Sequence, residues 1–416
     1  MQKENHSLQM AEIKPFNALR PKKEIASKLA SRPYDVLNSE EAREEAKDNP
    51  FSFLHITKSE IDLPPGTDTH SAPVYKKANE NLLHFINKEN ILFREEKPCY
   101  YIYRLVMNGR PQTGLVCVSS VKDYFDDIIK KHEFTRPEKE KDRIDHMLAI
   151  SAQTGNVFLA YRDVAELNSI IDNWKESYSP VYDFTAEDKI QHTVWIIDDE
   201  ETINSITKLF SSKVPNTYIA DGHHRAASAA KVSKELPDSD DAKYFLTTIF
   251  PESQLSILDY NRVIKDLGEY TEAEFISALQ DDFMITQSPV PVKPSAPHEF
   301  GMYLGKQWYI LTSRKGTFSG DPVGILDVTI LSNNILDKLL EIKDQRTDKR
   351  IDFVGGIRGL GELEKRVDSG EMRIAFSLYP VTIEQLFNIA DSGNVMPPKS
   401  TWFEPKLRDG LLTHLI

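Results

Sequence analysis

The sequence predicts an α+β protein: a mixed sheet with irregular strand–helix alternation, followed by a second α+β unit. Three observations predict it. Short β-prone runs, such as VFLAY at 157–161 and HTVWII at 192–197, alternate with amphipathic stretches of helix length. A hairpin breaks that alternation: YYIYRLVM at 100–107 and TGLVCV at 113–118 flank Asn108-Gly109, a dipeptide that accepts positive φ at both positions. At 416 residues the chain exceeds what one small core organises, so two or more packed units are expected. The irregular alternation argues for a mixed sheet over a clean doubly wound one.

The elements follow in order. Prolines at 15, 21, 33, 50 and 64 leave the N-terminal region irregular, because each fixes φ and removes a donor. Leu82, Leu83, Phe85 and Ile86 give an apolar stripe to a helix over 75–88. After the hairpin come helices over 121–132 and 138–152, the strand 157–161 and a helix over 163–176. The strand 192–197, a helix over 200–210 and strands at 217–220 and 244–250 complete the region. QSPVPVKPSAPH at 287–298 reads as a loop inside the second unit, since strand-like GMYLGKQWYILTS resumes at 301. A helical region over 327–341 and the glycines of 355–361 precede an irregular tail, MPPKSTWFEPKLRDG. The glycines lack a strand–GxGxxG–helix frame and read as a loop. The expected units are 12–255, 256–385, and a segment 386–416 that packs back on the first through Trp402 and Phe403.

Composition sets limits. Apolar residues make up 40% and charged residues 28%, as in an ordinary globular protein. A net charge of −13 argues against a surface that wraps nucleic acid. Two cysteines, Cys99 and Cys117, are too few for a disulfide framework or a Cys-rich zinc site and fit a reducing compartment. No apolar run approaches the roughly 20 residues that span a bilayer. MQKENHSLQM reads as no signal peptide, with Met10 as an alternative start, and the expected location is the cytoplasm. The sequence carries no signal for an oligomeric state.

One stretch concentrates titratable groups: Asp221, Gly222, His223, His224 and Arg225, between β-prone Thr217–Ala220 and an Ala-rich helix former. A strand-to-helix turn aims N–H groups and partial positive charge at whatever lies before it. Gly222 lets the backbone approach closely, Arg225 offers a planar donor fork, and the two histidines add donors or metal ligands. The combination predicts an anion site, for phosphate above all. The blander reading makes Asp221 the N-cap and the histidines ordinary polar residues.

DGHHR resembles the nucleotide loop of the ParB and sulfiredoxin superfamily. Within it the motif is most similar to the free serine kinases, which phosphorylate serine using ADP or ATP. Sulfiredoxins carry a reactive cysteine where this chain has His223, and the DNA-binding ParB proteins carry Glu-Arg at the positions of His223 and His224. Over nearly its whole length the chain resembles the domain-of-unknown-function family 1015. The marks are PFNALRP at 15–21, PYDV at 33–36, KKHEFTRPEKEKDR at 130–143, DGHHR, LDVTIL at 326–331 and MPPKSTWFEPKL at 396–407. Arg32 departs from the proline or small residue usual there.

With phosphorylation of serine as the implied chemistry, a proton acceptor is needed. The charge run 131–143 can be a solvated connection between helices. It also sets His132 beside Glu133, which makes Glu133 the first candidate base, and offers Asp142 as a magnesium ligand. Asp35 in PYDV is a second candidate base or ligand; taken alone, such a tetrapeptide is usually a structural turn. Lys399, Ser400, Thr401 and Lys406 in the stiff tail are candidates for holding phosphate or a substrate carboxylate, or else a plain surface turn. The free serine kinases use a glutamate as base, but no motif aligns it with a residue of this chain. The expectation is phosphoryl transfer with Mg²⁺ and ADP or ATP on serine or phosphoserine, as kinase or phosphatase. A metal-dependent hydrolase using His132, Asp142, Asp221, His223 and His224 is the alternative, although no HExxH-type spacing supports it. A nucleotide-binding module without catalysis is a third possibility.

Overall fold

The computed structural model describes residues 9–88 and 90–416. The first eight residues, part of the stretch that reads as no signal peptide, lie outside the described residues. The chain divides into two units: Met1–Leu255 with Pro405–Ile416, and Ser256–Glu404. Residues 386–404 therefore group with the second unit and the last twelve with the first.

Among the described residues of the first unit, nine strands form one sheet: β1 (Ile13–Lys14), β2 (Tyr100–Met107), β3 (Arg110–Ser120), β4 (Ile129–Lys130), β5 (Val157–Tyr161), β6 (Tyr182–Thr185), β7 (Gln191–Ile197), β8 (Thr217–Asp221) and β9 (Tyr244–Pro251). Their order is β4-β8-β5-β9-β3-β2-β7-β6, with β1 added on β3. β4/β8 and β5/β9 run parallel and β8/β5 and β9/β3 antiparallel, so the sheet is mixed, as the irregular alternation predicts. The β2–β3 hairpin turns on Asn108 at φ 52° and Gly109 at φ 77°.

Five helices matter for the site: α1 (Ala72–Asn87), α2 (Pro137–Ile150), α3 (Ala165–Ser177), α4 (Glu200–Lys213) and α5 (His223–Glu235). Alternate strand residues Tyr100 and Ile102, Leu115 and Cys117, and Trp195 and Ile197 join one core with Leu167 and Trp174 of α3, Ile206 and Phe210 of α4 and the alanines of α5. Both cysteines are buried free thiols. Among the described residues no helix is long and apolar enough to cross a membrane.

Several elements differ from the sequence reading: the proline-rich N-terminal region holds short helices, Ala26–Leu29, Ser39–Ala46 and Leu54–Thr57, and the glycines of 355–361 run from a strand end through a 3₁₀ turn into the helix Leu360–Asp368. The helix expected over 121–132 stops at Phe125; Asp127 turns through φ 59°, and Ile129–Lys130 pair in parallel with Thr217–Tyr218. Sheet pairing and burial of Ile129 override helix propensity there. The region 327–341 is α-helical only over Asp327–Leu331 and continues as a π-helix, Ser332–Asp337.

The last residues thread back into the first unit. Ser31 and Asp409 exchange backbone bonds of 3.1 and 3.0 Å, Leu19 and Thr413 exchange two of 2.9 Å, and the Ile416 N–H donates to the Ser151 carbonyl at 3.0 Å. Gly410 makes the passage possible. It holds φ +93°, and a Cβ there would lie 2.6 Å from Leu29 and 2.7 Å from the Phe53 ring.

The second unit carries an all-antiparallel sheet of β10 (Tyr260–Ile264), β11 (Phe283–Ser288), β12 (Glu299–Leu304), β13 (Gln307–Ser313), β14 (Ile351–Gly355) and β15 (Ile374–Leu378), ordered β11-β13-β12-β15-β10-β14. Arg262 on β10 is fully buried, and burial pulls its pKa down to about 10. Its guanidinium lies 4.9 Å from the Phe353 ring and donates to the carbonyls of Tyr260, Pro398 and Lys399.

The packing yields one prediction. Gly410→Ala adds left-handed strain and an overlap with Phe53 and Leu29, each of about 1–3 kcal/mol. Thermal unfolding of the variant should begin several degrees lower; an unchanged transition would mean that the tail is not locked as described.

Candidate active site at the start of α5

The loop sits where β8 becomes α5. The β8/β5 register shifts between Ile219 and Asp221, a bulge that re-aims the strand end. Gly222, at φ +97°, is the N-cap residue, and no side chain caps the helix. A Cβ at Gly222 would lie 3.4 Å from the Val157 Cα. Asp221 is therefore not the cap: its Oδ2 accepts from Lys406 Nζ at 3.2 Å. Burial alone would raise the Asp221 pKa, but Lys406 and then Arg225 hold it well below the carboxylate range. Behind the loop, Ala226, Ala227, Ser228, Ala229 and Ala230 are all buried, and Ser228 Oγ donates to the Glu140 carbonyl on α2 at 3.1 Å. Small residues are what let α2 and the sheet close around α5.

The run 131–143 meets this loop. The His132 backbone N–H donates to His223 Nε2 at 3.4 Å, and the two imidazoles pack edge to face with centroids 4.5 Å apart. The Arg136 N–H donates to His224 Nε2 at 3.0 Å. Glu133 Oε2 lies 3.7 Å from His223 Nδ1. Burial and the neighbouring His132 push the His223 pKa well below 6.5, so the ring is neutral. Because Nε2 accepts, Nδ1 carries the proton and faces the Glu133 carboxylate. Glu133 is about half exposed. The His132 ring is buried, with its pKa lowered to about 4 by desolvation and its Nδ1 without a hydrogen-bond partner. It is the His132 backbone that contacts the loop by hydrogen bonding.

Arg225 points the other way, into the protein. Nη1 donates to the Asn156 carbonyl at 2.7 Å, and Nη2 lies 2.8 Å from both oxygens of Asp35. Its guanidinium is 5.4 Å from the Tyr34 ring, and that of Arg143 is 3.9 Å from the same ring. Gly155 is required by this packing, since a Cβ would stand 3.2 Å from Arg225 Cδ. Tyr34, Gly155, Arg143 and Arg225 line a cavity of about 30 Å³, room for a water or two.

The expected magnesium ligand is otherwise engaged. Asp142 Oδ2 accepts two bonds from Arg143, at 2.9 and 2.6 Å, and Oδ1 accepts from the Tyr75 hydroxyl at 2.9 Å. Among the described residues no group of three or more His, Cys, Asp or Glu side chains gathers as a metal ion needs. The donor set fits neither a resident magnesium nor the zinc or iron centre of the hydrolase alternative.

Lys399, Ser400 and Thr401 belong to the second unit, in a turn around Arg262. Lys399 holds φ +58°, its Nζ is 5.7 Å from the Tyr260 ring, and Ser400 Oγ donates to the Pro397 carbonyl at 2.7 Å. Of the tail's cations, Lys406 is the one that reaches the loop.

Sequence reasoning missed Asp409, Tyr34, Arg143 and Asn156. Asp409 is 1% exposed, and its Oδ2 has no hydrogen-bond partner. Burial pushes its pKa up to about 7, with Arg225 pulling down and Asp35 pushing up. Its one local signal is the Asp-Gly pair in a polar tail.

A carboxyl with a folded pKa above its unfolded value holds its proton more tightly when folded. Its contribution therefore favours folding at low pH and is lost as pH rises from about 4 to about 7. Asp409→Asn removes that contribution. The variant's stability relative to the parent should climb across this window by up to about 1.4 kcal/mol per pH unit, read from urea midpoints. A difference that stays flat with pH would mean that Asp409 titrates normally.

No curated protein matches the chain. Solved structures similar to it include a free serine kinase variant in complex with AMP, at 14% identity and TM-score 0.36, covering 67% of this chain and 84% of that one. A conserved hypothetical protein from Pyrococcus furiosus is similar at 16% identity and TM-score 0.34, over 68% and 91%. SbnI with a C-terminal truncation, from Staphylococcus aureus, is similar at 12% identity and TM-score 0.34, over 70% and 82%. The family model described as "Protein of unknown function (DUF1015)" matches residues 13–329, well over half of the chain, and the protein belongs to that family.

Proposed function

We propose that this protein transfers a phosphoryl group to or from a small hydroxylated molecule, as a kinase acting on serine or a close relative with ADP or ATP. The observation that carries the reading is the convergence of two polar clusters about ninety residues apart. The uncapped start of α5 lies beside Glu133, whose carboxylate stands 3.7 Å from Nδ1 of neutral His223. Phosphoryl transfer needs little more than positioned positive charge and one proton acceptor.

In this reading the backbone from Gly222 to Arg225 receives the phosphates, as a helix start does for an anion. Glu133 accepts the hydroxyl proton. His223 holds that carboxylate in place and is itself too weak a base to compete for the proton. Lys406 neutralises Asp221, which would otherwise repel the phosphates. The divalent ion that accompanies a nucleotide enters as part of the substrate chelate. The likeness of DGHHR to the free serine kinase motif supports the choice of nucleotide and acceptor.

The test is turnover of ADP and ATP with a panel of hydroxy-amino acids and their phosphate esters, followed by phosphorus NMR. Glu133→Gln should abolish turnover while leaving ADP affinity within about twofold. Turnover that survives in this variant would move the base elsewhere. Arg225→Ala should weaken ADP binding by about 10- to 150-fold, the equivalent of one charge-assisted hydrogen-bond set of about 1.5–3 kcal/mol. Unchanged affinity by calorimetry would remove the loop from phosphate binding.

A further inference from the structure

Arg225 is prepared for an oxyanion and already holds one. The two oxygens of Asp35 both lie 2.8 Å from Nη2, so a carboxylate already occupies one donor edge of the guanidinium that an oxyanion would use. The Asp35 carboxylate stands in for a ligand oxyanion. We infer that Asp35 is a removable occupant of an oxyanion subsite on Arg225, displaced when a phosphate-bearing ligand enters; the inference rests on the phosphate-binding reading of the loop.

Four features carry it. The first is accessibility: the Asp35 side chain is 40% exposed although its partner is only 8% exposed, so the solvent side of the pair is the carboxylate. The second is the segment that bears Asp35, a single 3₁₀ turn, Tyr34–Val36. Pro33 and Leu37 on either side of it are buried while Asp35 and Val36 are exposed, so the carboxylate sits at the solvent edge of the turn. The third is charge balance after departure. Arg225 keeps the Asn156 carbonyl on Nη1 and the field of buried Asp409, so vacating the fork does not strand a bare buried cation. The fourth is competition. A phosphate brings up to twice the charge of a carboxylate and a third oxygen to the same donors, whereas Asp35 has the advantage of being tethered. Exchange replaces one anion by another at one guanidinium and leaves Tyr34 between Arg225 and Arg143.

The experiment measures binding of inorganic phosphate and, separately, of ADP to the full chain by calorimetry, for the parent, Asp35→Asn and Asp35→Ala. Asp35→Asn keeps the shape and removes the charge; circular dichroism and thermal melting check that each variant is folded. Both ligands should bind about tenfold tighter to Asp35→Asn than to the parent, and Asp35→Ala should tighten at least as much. Equal or weaker binding by folded Asp35→Asn overturns the inference. If Glu133→Gln abolishes turnover and Arg225→Ala loses ADP while Asp35→Asn stays at parental affinity, the occupant idea fails and the kinase reading stands. If Asp35→Asn tightens phosphate but no variant turns over a nucleotide, the occupant idea stands and the kinase reading fails. No binding of phosphate or ADP to any of the three proteins overturns both.

Discussion

A guanidinium taken out of water has to be met by oxygens, and the first unit is arranged around one such demand. Arg225 comes from the first turn of α5, and its two terminal nitrogens are met by residues far away in the chain, Asp35 and the Asn156 carbonyl, with Asp409 adding its field. The same demand leaves little room at Gly155, where a Cβ would stand 3.2 Å from Arg225 Cδ, and goes with the sharp turn at Gly222. Tyr34, with Arg143 on its ring and Arg225 nearby, links this pair to the Asp142–Tyr75 contact on α1 and α2.

Arg225 faces inward, and the two histidines beside it hold the neighbouring segment. His223 and His224 accept from the N–H groups of His132 and Arg136, so both imidazoles serve as acceptors that lock the 131–143 segment onto the start of α5. Burial keeps them neutral, which is what an acceptor needs. Glu133 is thereby set beside the helix start without being buried itself.

How much of this was legible in the sequence depends on range. The β2–β3 hairpin follows from Asn-Gly chemistry, and the strand 157–161 and the strand–loop–helix at 217–235 follow from local periodicity. The loop stood out in the sequence because four titratable residues and a glycine stand together. Asp409 was not, because its significance lies in an electrostatic influence on Arg225 that spans much of the chain and has no periodicity to betray it. The same holds for Arg143 on Tyr34. The helix over 121–132 was misread because Ile129 and Lys130 are claimed by a sheet edge, which no window of a dozen residues contains. Lys399, Ser400 and Thr401 looked like phosphate donors by composition, yet they form a turn whose carbonyls satisfy Arg262. Composition identifies polar groups but cannot say whether they face a ligand or a neighbouring backbone.

The return of residues 405–416 to the first unit has a consequence for biosynthesis. The second unit lies between that segment and everything it pairs with, so a ribosome must finish all of 256–404 before Lys406 can reach Asp221 or Asp409 can pair with Ser31. Until then α5 starts beside an uncompensated aspartate, and the nascent first unit lacks the strand-like tail that covers Leu29 and Phe53. Assembly of the first unit is thus coupled to synthesis of the whole second unit, and a product that stopped before residue 405 would lack the Lys406 counter-charge to Asp221.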